Sequence, residues 1–279
     1  MIDDFRDKRL AAYLEPGQRV LIRFGHGLGD CLMFAPCLNA LRAQFPETQI
    51  DLYVENGQEE VWPSVAGKDA PGYDLVFSLP FSMSWSEFRR TECEAPPSHV
   101  APLASSWKGA NLTKQEQCCR DELGIEPPAR EWAFLPDCES PLVGVHFQGT
   151  ALPGSVNWPE WAAKQVWDEI MAFGKTPIEC YYAHIFDNPA NAKYDFVDPT
   201  LRNVPGKLSS LIGLLQRCWA FIGVASGPWC TAMAIMPERT LFLQKDHRAE
   251  GYTHEPVARL TLDDFREGQV TTWLNSLTS

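Results

Sequence analysis

A short apolar segment that runs directly into a glycine-rich turn constrains the fold of this chain more than any other feature. Residues 19–24, RVLIRF, have the pattern of a buried strand, and glycine follows at every second position over 25–29. From 29 to 45 apolar side chains recur at three- and four-residue steps, which predicts an amphipathic helix. Pro36 lies inside this pattern, so the helix is expected either to begin near it or to kink there. A strand, a glycine turn and a helix in this order indicate a parallel α/β sheet.

The same alternation continues and predicts two Rossmann-like domains, residues 1–140 and 141–279. Residues 81–140 of the first domain are loop-rich, and the proline-rich stretch 124–141 indicates a linker between the domains. A ligand is then expected in a central cleft that the two parallel sheets face with the carboxyl ends of their strands. Further strands are predicted at 50–55, 73–79, 142–148, 177–183, 219–225 and 239–244. Further helices are predicted at 113–123, 158–174, 207–218, 227–236 and 262–277.

Composition excludes several classes of protein. The net charge of −12 disfavours nucleic acid and anionic membranes as partners. The nine cysteines include no Cys-x-x-Cys pair, which argues against a disulfide framework and a metal site. The N-terminus lacks the apolar core of a signal peptide, and no run approaches the roughly 20 apolar residues of a transmembrane helix. We therefore expect a soluble, cytoplasmic protein.

The glycine turn allows three interpretations of Asp30, which stands where a dinucleotide fingerprint has its last glycine. Glu55, at the end of the second predicted strand, suits ribose hydroxyls and favours a dinucleotide site. A carboxylate directed at a pyrophosphate is electrostatically unfavourable, but it suits a general base that takes a proton from a hydroxyl. Asp30 also suits the N-cap of the helix.

A second turn, Ser226–Gly227–Pro228, follows a predicted strand and begins a helix of small residues. Proline suits the first helical position and serine suits the cap. The Ser226 hydroxyl and nearby N–H groups are then expected to face a diphosphate in the cleft. A capped helix without any ligand explains the same residues.

Together these segments resemble a known family. The first carries a glycine turn, Gly-Asp, a proline six residues after the aspartate, Leu-x-x-Leu and Phe-Pro before the next strand. The segment 143–170 carries a strand, Gly-Thr and a Trp-Pro that enters a helix, and 208–236 carries the second turn. This combination resembles glycosyltransferase family 9, the ADP-heptose:lipopolysaccharide heptosyltransferases. The first set of positions is Gly29, Asp30, Pro36, Leu38, Leu41, Phe45 and Pro46.

The resemblance implies a GT-B fold and inverting, metal-independent transfer from a nucleotide sugar to a saccharide or another hydroxyl acceptor, without a further cofactor. It makes 1–140 the acceptor domain, with Asp30 as the general base, and 141–279 the donor domain. It also leads us to expect that the final helix closes against the N-terminal domain. The donor-side candidates are Gly149, Thr150, Trp158, Ser226 and Gly227. The acceptor-side candidates are His26, Gly27, Gly29, Arg89 and Arg90. Ordinary turn residues, core packing and a solvated charged face are the competing explanations for these positions.

Three positions depart from the family pattern. Val156 stands where the family usually has a basic residue, and Ala225 and Cys230 replace its aspartate and histidine. These departures favour a different sugar nucleotide or a protein that has lost activity. Three alternatives stay open: a glycosyltransferase acting on hydroxylated bases of phage DNA, an NAD(P)-dependent oxidoreductase, and a catalytically silent nucleotide-sugar-binding protein.

Overall fold

The structure, a computed structural model, divides the chain into two compact units, Met1–Ala129 and Arg130–Ser279. The predicted boundary at residue 140, and the acceptor and donor roles of the two domains, stay predictions. The residues that the structure describes are 9–24, 28–54, 61, 66, 72–79, 100–102, 118–126, 139–149, 157–182, 185–187, 191–245 and 258–278.

The first unit contains a four-stranded parallel sheet. Its strands are β1 (Arg19–Phe24), β2 (Gln49–Val54), β3 (Leu75–Leu79) and β4 (Val100–Pro102). They lie in the order β2–β1–β3–β4, with every neighbouring pair parallel. The strand order therefore reverses at β1, as expected of a doubly wound sheet. The three-residue strand β4 was not predicted from the sequence.

Helix α1 (Leu28–Gln44) follows β1 and contains Pro36 in its interior. The expectation that the helix begins near this proline is wrong, since eight helical residues precede it. Leu32, one of the apolar side chains of the predicted helix, is only partly buried. The buried side chains of this helix that pack into the first core are Cys31, Phe34, Cys37, Leu38 and Leu41.

The helix predicted at 113–123 is a shorter π-helical segment, Cys118–Leu123, in the described part of this region. Cys119 and Leu123 are fully buried in the first core. The backbone N–H of Ile125 donates to the carbonyl of Cys119 at 2.9 Å and closes the segment. The free cysteine here behaves as a small apolar side chain.

The second unit contains a separate six-stranded parallel sheet. Its strands are β5 (Leu142–His146), β6 (Thr176–Cys180), β7 (Arg202–Asn203), β8 (Ala220–Val224), β9 (Thr240–Gln244) and β10 (Ala258–Thr261). They lie in the order β10–β9–β8–β5–β6–β7, all parallel to their neighbours. Counted within the unit this is the 3-2-1-4-5-6 order of a Rossmann fold. The prediction of two Rossmann-like parallel sheets is confirmed.

Helices cover this second sheet. They are α2 (Glu160–Ala172), α3 (Leu208–Gln216), α4 (Gly227–Ile235) and α5 (Gln269–Ser276). Alternate residues of β5 pack in opposite directions: Val143 and Val145 join the core that α2 and α5 help to form. A side chain at Gly144 would instead meet Cys180 and Phe221. The close approach of Phe221 requires a residue without a side chain at this position.

The C-terminal helix is shorter than predicted. It was expected over 262–277 but begins at Gln269, after residues 262–268 that form turns. Gly268 has φ +85°, a left-handed conformation that cannot continue a helix towards the N-terminus. That this helix closes against the N-terminal domain stays a prediction. None of the helices in the described part of the chain has the length and hydrophobicity that a bilayer-spanning helix needs.

Candidate functional site

The order of the second sheet reverses between β5 and β8, which pair directly through His146 and Gly223. In open parallel sheets the connections that leave two such strands diverge, and ligands bind in the crevice at their carboxyl ends. Gly149 lies three residues beyond β5, and Ser226 and Gly227 lie just beyond β8. Three predicted donor-side residues therefore follow adjacent strands at the switch point of one sheet.

Ser226 is the N-cap of helix α4. Its hydroxyl accepts the backbone N–H of Trp229 at 3.3 Å and donates to the carbonyl of Val224 at 3.0 Å. Pro228 has no N–H, and that of Cys230 donates to the carbonyl of Ser226 at 3.0 Å. Among the first-turn residues, Gly227 is the one whose N–H has no recorded partner within the described chain. The helix end thus offers the Gly227 N–H and the positive end of its dipole to an anion.

The loop after β5 is held by side-chain amides. Gln148 donates from Nε2 to the carbonyl of Ala192 at 2.6 Å, and its Oε1 accepts the Ala192 N–H at 2.7 Å. The N–H of Gly149 donates to Oδ1 of Asn157 at 2.9 Å. The Gly149 N–H is therefore used within the protein, and its contact with a ligand stays a proposal.

Trp158 is 1% exposed and lies in the core of the second unit. Its ring packs edge-on against Phe265 at 5.0 Å between centroids, and its carbonyl accepts the hydroxyl of Tyr194 at 2.8 Å. Its indole N–H has no hydrogen-bond partner among the residues that the structure describes. These contacts agree with the packing explanation for Trp158, and its place beside the donor stays a proposal.

His146 ends strand β5 and is buried and neutral. Its Nδ1 donates to the carbonyl of Cys180 at 3.0 Å, and its ring lies 5.0 Å from that of Tyr181. Burial lowers the pKa of His146 to about 3, partly opposed by this hydrogen bond. His146 therefore supplies no positive charge for a phosphate at neutral pH.

A buried ion pair lies at the end of β6, and sequence reasoning missed it. Arg202 donates from Nε to Oε2 of Glu179 at 2.6 Å, and the hydroxyl of Tyr181 donates to Oε1 at 2.8 Å. Burial raises the pKa of Glu179, and the hydrogen bonds from Tyr181 and Arg202 oppose that rise. The available signal was the charged Glu179 inside an otherwise apolar predicted strand, since a buried charge needs a partner.

In the first unit, Gly29 and Asp30 are the second and third residues of α1, immediately after the glycine turn. Asp30 is therefore not the N-cap, because the helix already begins at Leu28. No group of three or more His, Cys, Asp or Glu that suits a metal ion occurs among the described residues. His26, Gly27, Glu55, Arg89, Arg90 and Thr150 lie outside the described residues.

No protein-family model matches the sequence, and no curated protein matches it either. Solved structures do match along most of the chain. A glycosyltransferase family 9 protein from Veillonella parvula is 14% identical, with a TM-score of 0.61 over 95% of this chain and 98% of the other. E. coli ADP-heptose LPS heptosyltransferase II is 15% identical, with a TM-score of 0.63 over 93% and 98%.

E. coli heptosyltransferase WaaC, solved with ADP, is 14% identical to this chain, with a TM-score of 0.58. The match covers 93% of this chain and 99% of that one. The chain has the fold of these glycosyltransferases. The predicted GT-B architecture, which followed from the resemblance, is confirmed. At this level of identity the likeness concerns the fold.

Proposed function

We propose that the protein is an inverting glycosyltransferase that moves a sugar from a nucleoside-diphosphate sugar to an acceptor hydroxyl. The observation that carries the proposal is the switch point of the second sheet. There a glycine-containing loop and a helix N-terminus follow adjacent strands, in a chain whose fold matches that of glycosyltransferases along most of its length. WaaC was solved with ADP, which supports a nucleoside diphosphate as the leaving group.

The donor diphosphate is placed at the N-terminus of α4. The Gly227 N–H and the helix dipole stabilise the negative charge that grows on the leaving group. Gly149, Thr150 and Trp158 border the donor, and Ser226 holds the first turn of the helix in place through its cap. Charge stabilisation by backbone groups makes a divalent cation unnecessary, and the reaction needs no cofactor besides the donor.

Asp30 is placed at the acceptor as the general base. Its carboxylate takes the proton of the acceptor hydroxyl while the oxygen attacks the anomeric carbon from the face opposite the diphosphate. The bond from the anomeric carbon to the phosphate oxygen breaks, and its electron pair leaves with the nucleoside diphosphate. The configuration at the anomeric carbon inverts. His26, Gly27, Gly29, Arg89 and Arg90 lie on the acceptor side in this proposal.

The donor is proposed to differ from ADP-heptose, which is the donor named for E. coli heptosyltransferase II. The resemblance leads us to expect a basic residue at Val156, an acid at Ala225 and a histidine at Cys230, and all three are replaced. Each replacement removes a charged or titratable contact to the donor. The phosphates then depend on backbone groups, and the sugar is recognised by other contacts.

A binding panel tests the proposal. Thermal shift and calorimetry with ADP, UDP, GDP and CDP, their sugar derivatives, NAD⁺ and NADP⁺ should give a nucleoside-diphosphate hit and no dinucleotide hit. A dinucleotide hit without any diphosphate response would establish the oxidoreductase instead. Binding without turnover across saccharide and hydroxylated-DNA acceptors would establish the silent binding protein. Turnover should persist in EDTA, and a requirement for manganese would contradict metal independence.

A further inference from the structure

A closed ring of hydrogen bonds holds both polar backbone groups of Gly149. The Gly149 N–H donates to Oδ1 of Asn157 at 2.9 Å, and Nδ2 of Asn157 donates to Oδ1 of Asn191 at 2.8 Å. The Nδ2 group of Asn191 then donates back to the Gly149 carbonyl at 3.4 Å and to the carbonyl of Ile185 at 2.8 Å. Two side-chain amides thus connect Gly149 and Asn157 to the segment that contains Ile185 and Asn191.

The direction of this ring is fixed by its end points. Asn157 accepts from a backbone N–H, so its nitrogen must donate to Asn191. Asn191 accepts that bond, so its own nitrogen faces two carbonyl oxygens. Turning either amide over would place oxygen against oxygen or N–H against N–H. Asn191 is 9% exposed, so water does not readily replace a lost partner.

Gln148 anchors the same loop a second time. Its side chain pairs with both backbone groups of Ala192, as a neighbouring strand would, and Gln148 is 2% exposed. Consecutive residues 148 and 149 are therefore held to consecutive residues 191 and 192. Gln148 and Gly149 are held in place without a bound ligand, and groups that are already ordered cost less entropy when a ligand binds.

We infer that the Asn157–Asn191 pair is a positioning device that presets the backbone of Gly149, beyond the carboxyl end of β5, for the diphosphate of the donor. The inference rests on the proposed function, because it deepens the role of this glycine at the donor site. Asn191 holds the carbonyl of Gly149 and Asn157 holds its N–H, so the backbone of this glycine is fixed on both sides. The segment that carries Asn191 and Ala192 supports the donor site through this ring.

The ring also accounts for the neutral residues that precede Trp158. The family pattern leads us to expect a basic side chain at Val156, whose charge would attract phosphate directly. This chain instead has Asn157 in the next position, and its amide acts on the backbone of Gly149. Oriented backbone dipoles stabilise anions without a side-chain charge.

Alanine variants of the two asparagines test the inference. The probe is whichever of ADP, UDP, GDP and CDP the wild type binds most tightly, compared with the nucleoside that lacks its phosphates. Asn157→Ala and Asn191→Ala should each weaken diphosphate binding by about tenfold and change nucleoside binding by less than about twofold. The double variant should be little weaker than either single one, since one break already opens the ring. Exposed Asn275→Ala is the matched control and should bind like the wild type.

The outcomes separate the two proposals. If the wild type binds none of the four diphosphates, the proposed function fails. If the wild type binds and the single variants bind equally well, or if diphosphate and nucleoside affinities fall together, the positioning role is overturned. Additive losses in the double variant contradict it as well.

Asn191→Asp keeps the test decisive if the alanine variants do not fold. Its carboxylate would face the carbonyls of Gly149 and Ile185, which disfavours ionisation and raises its pKa. Measured relative to the wild type at the same pH, diphosphate affinity should be weak at pH 8 and recover towards pH 5. At pH 5 the protonated side chain in the Asn191→Asp variant can again donate a hydrogen bond to one of these carbonyls. A relative affinity that does not change with pH contradicts the ring's role.

Discussion

Glu169 on helix α2 accepts the backbone N–H of Thr271 on helix α5 at 2.9 Å, through Oε2. The same oxygen accepts the hydroxyl of Thr271 at 3.2 Å, and Oε1 accepts the N–H of Gly268 at 2.9 Å. The first turn of the last helix therefore receives its cap from a side chain a hundred residues earlier. This explains how α5 begins directly after a left-handed glycine with no cap from its own N-cap side chain.

Replacing this carboxylate should weaken the attachment of the last helix. Glu169→Gln replaces one carboxylate oxygen with an NH₂ group, which faces an N–H donor and cannot accept its hydrogen bond. We therefore expect the free energy of unfolding to fall by about 1–3 kcal/mol. Denaturant unfolding measures the change, and amide exchange over 269–276 should speed up. Exposed Glu267→Gln makes the same chemical change and should cost less than about 0.5 kcal/mol. Equal effects of the two variants would contradict the capping role.

The buried pair of Glu179 and Arg202 should be far more sensitive than an exposed pair. Arg202→Met leaves the Glu179 carboxylate buried with Tyr181 as its remaining described partner, which should cost about 3–5 kcal/mol. Lys164→Met breaks the exposed Lys164–Asp168 pair of helix α2 and should cost at most about 0.5 kcal/mol. Chemical denaturation of both variants gives the comparison. Similar small losses would show that Glu179 does not depend on Arg202.

His146 should make the protein less stable in acid. In the unfolded chain a histidine binds a proton below about pH 6.5, whereas the native side chain stays neutral down to about pH 3. The unfolded state therefore binds more protons in this window. The free energy of unfolding then falls as the pH is lowered, by up to about 1.4 kcal/mol per pH unit. His146→Asn keeps a donor near the Nδ1 position and removes this titration. Between pH 7 and pH 4 the wild type should lose stability relative to the variant, and parallel curves would contradict this.

The N-terminus of α4 can be tested by removing one N–H. Gly227→Pro eliminates this donor, and Ser226 before it has the extended backbone that a following proline requires. We expect diphosphate affinity to fall by about ten- to a hundredfold, the range for a hydrogen bond to a charged group. Gly227→Ala adds a side chain but keeps the N–H, and it should bind within about threefold of the wild type. Equal losses in both variants would indicate a steric effect rather than a lost donor.

Local patterns in the sequence were enough to predict most of the fold. Strand β1 has its predicted bounds at 19–24, because an apolar run followed by glycines is a purely local signal. Strand β10 was missed, since ARLT is short, is not fully buried and lies at the edge of the sheet. The last helix was predicted too long because Asp263 and Asp264 resemble the acidic first turn of a helix. The left-handed conformation of Gly268 decides where this helix begins, and no sequence pattern indicates that conformation.

The candidate site could be predicted only in part. The cap at Ser226 was predicted correctly because a cap residue after a strand is visible locally, whereas the role of Asp30 stays a proposal. The partnership of Asn157 with Asn191 joins two segments outside the strands that lie 34 residues apart, and no spacing in the sequence indicates it. The hydrogen bond from the Ser226 hydroxyl to the carbonyl of Val224 likewise follows from the geometry of the first turn and has no sequence pattern of its own.

The central claim, that the protein transfers a sugar with Asp30 as its base, is tested most directly by the turnover of Asp30→Asn. The measurement is the rate of nucleoside-diphosphate release from the sugar nucleotide that binds the wild type, with its acceptor, beside the affinity for the diphosphate alone. The substitution keeps the shape of the side chain but cannot take the proton. Turnover should fall by a factor of about 10² to 10⁴, while diphosphate affinity stays the same or rises slightly. Near-normal turnover in Asp30→Asn would contradict the account.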